Sequence, residues 1–283
     1  MMGVIWATRQ YWFWLILISL AVMAIEFIAP WRKKQKHFRK QFGQDLLWLA
    51  CNGHAVGITI AFVATYLIEQ FFPAITKAEG LNLIAGQALW IQFLVFFILK
   101  DLLEWFVHNL LHRVPALWAF HKLHHSIEEL DWIGNFRFHW MEIIVYKTLT
   151  YLPLVILGVD GRVILWIAIL STIIGDLNHS NLNITWGPLR YLINSPRMHV
   201  WHHMYALPDG RHKGVNFGIN LSIWDWLFRT SYWPAPEESP EQQPEKLGFP
   251  DMDDYPRSFI GRFVYPLRLP WGRGKKSGDG EGE

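Results

Sequence analysis

His121-Lys122-Leu123-His124-His125 sets three imidazoles at positions i, i+3 and i+4. On a helix those positions share one face, so the spacing predicts three rings pointing the same way. The pattern returns at His199-Val200-Trp201-His202-His203, and His108-Asn109-Leu110-Leu111-His112 adds a pair at i and i+4. Eight of the 13 histidines therefore fall in three short helical clusters. Neutral imidazole is the commonest nitrogen ligand for transition metals. So many converging rings exceed what one ion uses, which points to two ions at one site. Structural zinc usually closes with four ligands. A dinuclear centre with positions open for oxygen needs more, and nitrogen suits iron. Known di-iron bundles rely on Glu together with Glu-x-x-His. Carboxylates are too few here, so a histidine-rich variant is expected.

The 283 residues suffice for one large domain or two small ones. Mean hydropathy is only +0.13 because polar tails dilute apolar segments. Several of those segments approach or exceed the length that spans a bilayer, and many of the 17 tryptophans sit near their ends, as interfacial aromatics do. A net charge of +2 gives no support for a nucleic-acid partner. Cys51 is the single cysteine, which excludes an intrachain disulfide and a thiolate metal cage.

The fold expected is all-α: an integral-membrane bundle of about four to five helices under a histidine-rich cytoplasmic cap. Membrane helices are expected at about 11–29, 46–72, 83–107, 141–158 and 162–177, and the cap at 108–140 and 178–232. Residues 1–267 would form one domain and 268–283, nearly all Gly and charge beyond Gly272, a disordered tail. The run Tyr11 to Ala29 is long for a signal peptide and no small-residue cleavage site follows, so a retained helix is expected. Six basic residues between Arg32 and Lys40 then mark the cytoplasmic side and put the N-terminus outside. The 17 residues from Met141 to Leu157 would cover about 25 Å as a helix, slightly short of a bilayer core of about 30 Å. With Val163 to Ile174 they make a hairpin that returns the chain to Asp176-Leu177-Asn178-His179. Pro115 and the pair Ser195-Pro196 are helix-start signals just before the two triplets. Every histidine group thus reaches the same face of the membrane.

Asp101 and Glu104 lie seven and four residues before His108, on its helical face, where a carboxylate can orient a ligating imidazole. The competing reading is a solvated helix end. His37 and His54 have no spaced partners. His212 sits in a basic loop and is a weak ligand candidate.

These residues resemble the fatty acid hydroxylase/sterol desaturase superfamily of integral-membrane di-iron oxygenases. The likeness runs from Asp101 through HxxxH, Arg113-Val114-Pro115, Trp118, HKLHHS, Arg137-Phe138-His139 and Glu142. It resumes at Asn178-His179-Ser180, Arg197-Met198-His199 with His202-His203, Asn216-Phe217-Gly218 and Trp224-Asp225. It covers roughly residues 95 to 230, and the order of motifs is highly specific. The resemblance implies His108, His112, His121, His124, His125, His179, His199, His202 and His203 as metal ligands. Glu142 would accept a hydrogen bond from a ligand imidazole; His139 would lie near the cluster as a ligand, a donor to one or a helix-end packing residue, and Asn216 as a ligand or a residue beside one. Asn109 stands where the family often has Arg, and Gly175 where some lipid hydroxylases carry a further histidine.

The resemblance further implies two iron ions, for which zinc can substitute in purified protein, and an oxidoreductase that hydroxylates or desaturates a lipid with dioxygen. The chain carries no flavin, haem or iron–sulfur motif, so electrons would come from a separate electron-transfer protein. The setting would be a bacterial inner membrane or an endoplasmic-reticulum-type membrane. Two rival classes stay in view. A membrane zinc hydrolase lacks its HExxH here and leaves the excess of histidines unexplained. A metal transporter or sensor would spread ionisable residues along a path within the membrane rather than at one edge.

Overall fold

The computed structural model describes residues 10–51, 83–235 and 243–268, with Tyr66 and Gln70, and omits the side chains of 152–156. Most of the expected span 46–72, together with His54 and residues 269–283 of the tail, lies outside the described residues. Within them the chain is helical, without strands; Ile193–Leu221 and Met204–Leu247 form isolated bridges.

Helix α1 (Tyr11–Ile28) is apolar throughout and carries Glu26 on its buried side, where the carboxylate accepts from the Trp132 N–H at 3.1 Å. Helix α2 (Phe42–Ala50) follows the basic loop. That loop is not wholly solvated. Arg39 is buried between Asp45 and Asp131, and Arg32 donates to the Leu130 carbonyl at 2.6 Å. Two of the six cations therefore also hold structure, because buried charge persists only when paired.

Helix α3 (Leu89–Arg113) starts later than the expected span and runs without interruption through His108 and His112. It stops where Val114, extended ahead of Pro115, leaves the helical region. Pro115 then opens α4 (Pro115–His125), which carries the first triplet. A 3₁₀ turn (Trp132–Phe136) leads to α5 (Trp140–Ile156) and α6 (Gly161–His179). Asp160 caps α6 through the Arg162 N–H at 2.8 Å. Helix α7 (Pro196–His202) carries the second triplet, with Ser195 Oγ accepting from the Met198 N–H at 3.2 Å. The short α8 (Ile223–Leu227) and α9 (Phe259–Val264) are the last α-helices among the described residues.

Helices α1, α3, α5 and α6 pack along one another, and α4 and α7 meet the ends of α3 and α6. Phe96, Val163 and Ile167 fill the α3–α6 contact, while Ile18, Val22 and Ile133 join α1 to the 3₁₀ turn. Many apolar side chains face outward, among them Ile16, Leu17 and Leu20 on α1 and Trp90, Leu94 and Ile98 on α3.

Four to five membrane helices were expected, but two described helices, Tyr11–Ile28 and Gly161–His179, are long and apolar enough to cross a membrane by length and composition. The physical reason is visible in the others. Helix α3 carries Lys100, Asp101 and Glu104 in its middle, and α5 has 17 residues including Glu142 and Lys147.

Candidate metal centre

Five imidazoles, from His108, His112, His121, His125 and His202, place one nitrogen each within 4.8 Å of one another. Four more, from His124, His179, His199 and His203, do the same beside them. Helix α3 supplies two of the nine, α4 three and α6 one, while α7 and the residue after it supply three. The triplets do not act as units, which corrects the expectation that each points one way. His121 and His125 join the first group while His124 joins the second; His199 and His203 join the second while His202 joins the first. Positions i and i+4 lie nearly above each other on a helix, and i+3 is offset to the far side of that line. Two helices meeting across the site therefore each give two rings to one group and one to the other. The groups adjoin, with the His125 and His203 rings 4.6 Å apart.

Within the second group the Nε2 atoms approach in series: His124 to His179 at 3.2 Å, His179 to His199 at 3.1 Å, His199 to His203 at 3.2 Å. Two nitrogens bound to one ion at about 2.0–2.1 Å sit roughly 3.0–3.4 Å apart, so the spacing fits shared ligation. In the first group His108 Nε2 lies 3.2 Å from His121 Nε2, while His112 Nε2, His125 Nε2 and His202 Nε2 are buried with no hydrogen-bond partner. An orphaned buried polar atom costs about 1–3 kcal/mol. Several orphans converging on one point are accounted for if they bind a metal ion.

The opposite ring nitrogens fix the tautomer. His121 Nδ1 donates to Glu142 Oε1 at 2.8 Å, His108 Nδ1 to the Phe217 carbonyl at 2.8 Å and His202 Nδ1 to the Val215 carbonyl at 2.8 Å. His179 Nδ1 donates to the Gly175 carbonyl at 2.9 Å. Each bond leaves the Nε2 lone pair inward, the arrangement a ligating imidazole needs. Burial, with repulsion from neighbouring imidazoles, holds His121, His124, His125, His199, His202 and His203 well below the ordinary histidine range. They are neutral at pH 7 and free to ligate.

Other candidates fall elsewhere. Asp101 and Glu104 bond to no imidazole. Asp101 accepts from the Asn220 and Leu221 N–H groups and Trp224 Nε1, and Glu104 pairs with Lys100 and reaches Asn220. Being on His108's face fixed their side of the helix but not their partners, and the loop after α7 takes them. Asn216 sits at φ +54° and its amide donates to the Met198 and Tyr232 carbonyls, so it holds backbone rather than an imidazole. His139 has both nitrogens occupied, donating to the Phe263 carbonyl at 2.9 Å and accepting from the Met141 N–H at 3.2 Å. His212 is exposed and belongs to neither group. A side chain at Gly175 would come within 2.9 Å of the Asn135 amide, so Asn135 fills the place open to a further histidine. The Val215 and Phe217 carbonyls escaped the sequence reading because backbone acceptors carry no residue-type signature.

Residues 93–230 match the fatty acid hydroxylase family. The chain is 40% identical over 127 residues to an ornithine lipid hydroxylase from Rhizobium tropici, covering 45% of this chain and 38% of that protein. It is 26% identical over 136 residues to methylsterol monooxygenase 1 from Rattus norvegicus, covering 47% of this chain and 44% of the relative. An alkylglycerol monooxygenase from Xenopus tropicalis is 29% identical over 141 residues, covering 44% of this chain and 27% of the relative. The matches thus span less than half the length of these relatives. No solved structure matches the chain. This likeness to fatty acid hydroxylases lies in the stretch that holds both histidine groups.

Proposed function

We propose that the protein is a membrane-bound di-iron oxygenase acting on a carbon–hydrogen bond of a lipid. The observation that carries this is the pair of adjoining, buried histidine groups inside a fatty acid hydroxylase domain. All nine histidines would be the ligands, five for one ion and four for the other. A bound iron pair would supply dioxygen activation: one oxygen atom enters the lipid and the other leaves as water, with two electrons and two protons consumed. Desaturation would instead remove two hydrogens from the lipid. Hydroxylation is the first choice because the relatives are named hydroxylase and monooxygenase. The 40% identity to an ornithine lipid hydroxylase makes an acylated amino-acid lipid the first substrate to assay, ahead of sterols and free acyl chains.

The chain's own residues bind and shield. Burial keeps the imidazoles neutral, Glu142 and the 215 and 217 carbonyls aim three of them, and the packed cap excludes water, which protects a strong oxidant from side reactions. The outward apolar faces of α1, α3 and α6 would lie in lipid, giving four to five membrane helices when the span at 46–72 is included, all within one domain at 1–267. The cap at 108–140 and 178–232 would face the cytoplasm of a bacterial inner membrane or an endoplasmic-reticulum-type membrane, where a separate electron-transfer protein delivers electrons. Fusions of a topology reporter after Ala29 and after Ile75 should report inside and outside respectively; the reverse pattern overturns the orientation.

The function is tested by loading the purified protein with iron, measuring oxygen uptake with a reductant system, and following lipids by mass spectrometry. Two ions per chain and a gain of one oxygen are expected, with loss of two hydrogens as the desaturase outcome. A single four-ligand tetrahedral site with no oxygen uptake sinks the proposal and revives the zinc-protein reading.

A further inference from the structure

We propose that Asp225 is a positioning residue for the metal centre, acting on His108 and His202 through the peptide groups of the loop 215–218. The inference rests on the reading of the nine histidines as ligands. Gly218 N–H donates to Asp225 Oδ2 at 2.7 Å, and the carbonyl of that same peptide group, Phe217 O, accepts from His108 Nδ1 at 2.8 Å. One amide therefore separates the carboxylate from the imidazole. Phe217 N–H donates to Oδ1 at 2.8 Å and fixes the loop from the other side. A carboxylate on the N–H side of an amide polarises it and strengthens its carbonyl as an acceptor. A stronger acceptor at Nδ1 makes Nε2 a better donor to metal, as a directly bonded carboxylate does for many metal-ligating histidines.

A second branch reaches His202. Thr230 Oγ1 donates to Asp225 Oδ1 at 2.6 Å, and the Thr230 carbonyl accepts from the Asn216 N–H at 2.9 Å. The carbonyl of that peptide group, Val215 O, accepts from His202 Nδ1 at 2.8 Å. Both branches end in the five-histidine group. Asp225 is fully buried, and its four donors, from Phe217, Gly218, Thr230 and Trp105 Nε1, are all neutral. A carboxylate in such a place is expensive to keep, and three of its four donors lead to the loop that aims the two rings. Gly218 is required for the approach, since a Cβ there would overlap the Leu221 carbonyl and lie 2.9 Å from Oδ2. Among the described residues the four-histidine group has no such connection; its anchored ring, His179, bonds to Gly175 of its own helix.

Anaerobic cobalt(II) titration of the purified full chain, read by optical absorption, tests the idea. His125→Ala and His203→Ala assign the bands of the five- and four-histidine groups. Asp225→Asn should weaken cobalt binding at the five-histidine group about tenfold and leave the other group within about twofold. Wild-type protein binding fewer than two cobalt ions would remove the ligand reading itself. Wild type binding two, with Asp225→Asn keeping both affinities or losing both equally, overturns the role of Asp225 alone. If Asp225→Asn is not recovered folded, Thr230→Val carries the test, because it keeps the carboxylate and both amide bonds while cutting the branch to His202. A smaller loss confined to the five-histidine group is expected, and no change or an equal change in both groups overturns the proposal.

Discussion

The five-histidine and four-histidine groups draw on the same two triplets yet hold their rings by different means. In the first, three Nδ1 atoms donate to acceptors outside their own helices: Glu142, Val215 O and Phe217 O. In the second, His179 donates within α6, and His124 is held by its ring stacked 4.6 Å from Phe138 with planes 12° apart. One group is set by directional hydrogen bonds from a distant loop and helix, the other mainly by packing. Hydrogen bonds to an imidazole change its basicity as well as its orientation, whereas packing fixes orientation alone. Metal ions bound at the two groups should therefore differ in affinity and potential, and variants should separate them.

The largest effect tests what the groups share. His124→Ala removes an imidazole from the four-histidine group and His202→Ala one from the five-histidine group; if these rings are ligands, either should lower lipid oxidation at least ~100-fold. Membrane insertion should persist in both, since the apolar helices supply it. His37→Ala is the control, because His37 is exposed, with its ring against Phe27 and away from both groups, and should stay within about twofold. If one ligand variant keeps substantial oxidation, the two groups do not act as a pair.

Next in size is Glu142→Gln, which keeps an acceptor for His121 Nδ1 but removes the charge. Metal affinity at the five-histidine group should fall about tenfold with the four-histidine group unchanged, read in the cobalt titration. Equal loss in both groups would mean that the contrast between hydrogen-bonded and packed rings carries no weight. Gly214→Ala acts on backbone instead. Gly214 has φ +115°, and an added Cβ would lie 3.0 Å from the Phe217 ring and 3.2 Å from His112 Nδ1. Strain of this kind costs of order 1–3 kcal/mol, so the variant should melt at lower temperature and perturb the five-histidine bands first.

How far the sequence predicts this contrast depends on range. Spacing alone placed the triplets on helices, and Pro115, Ser195 and Pro196 marked the starts that the structure shows. These are signals within a few residues of one another. The division of each triplet between two groups is set by how α4 and α7 face each other, which is long-range packing. Asp101 and Glu104 show the same limit, since their helical face was legible but their partners, Asn220, Leu221 and Trp224, lie about 120 residues away. The alternative of a solvated helix end at Asp101 and Glu104 fails for the same reason, because both are buried against Lys100 and the segment 220–224. His139 was open between ligation and packing, and only the Phe263 carbonyl, far along the chain, decides it.

The smallest effects are expected at the histidines outside both groups, and they are the sharpest check on where the groups end. His139 joins the start of α5 to α9 by one hydrogen bond from Nε2 to the Phe263 carbonyl, and the N–H of Met141 occupies its other nitrogen. His139→Ala should therefore cost about 1 kcal/mol or a little more of stability and leave both cobalt affinities unchanged. His212 is exposed on the basic loop, so His212→Ala should change stability by no more than about 0.5 kcal/mol. Metal content, thermal melting and lipid oxidation measured together distinguish the roles. A melting shift without metal loss at His139, and neither at His212, fits two groups of five and four. Loss of an ion from either variant would mean that a tenth imidazole belongs to the centre, and the boundary between the hydrogen-bonded and the packed group would have to be redrawn.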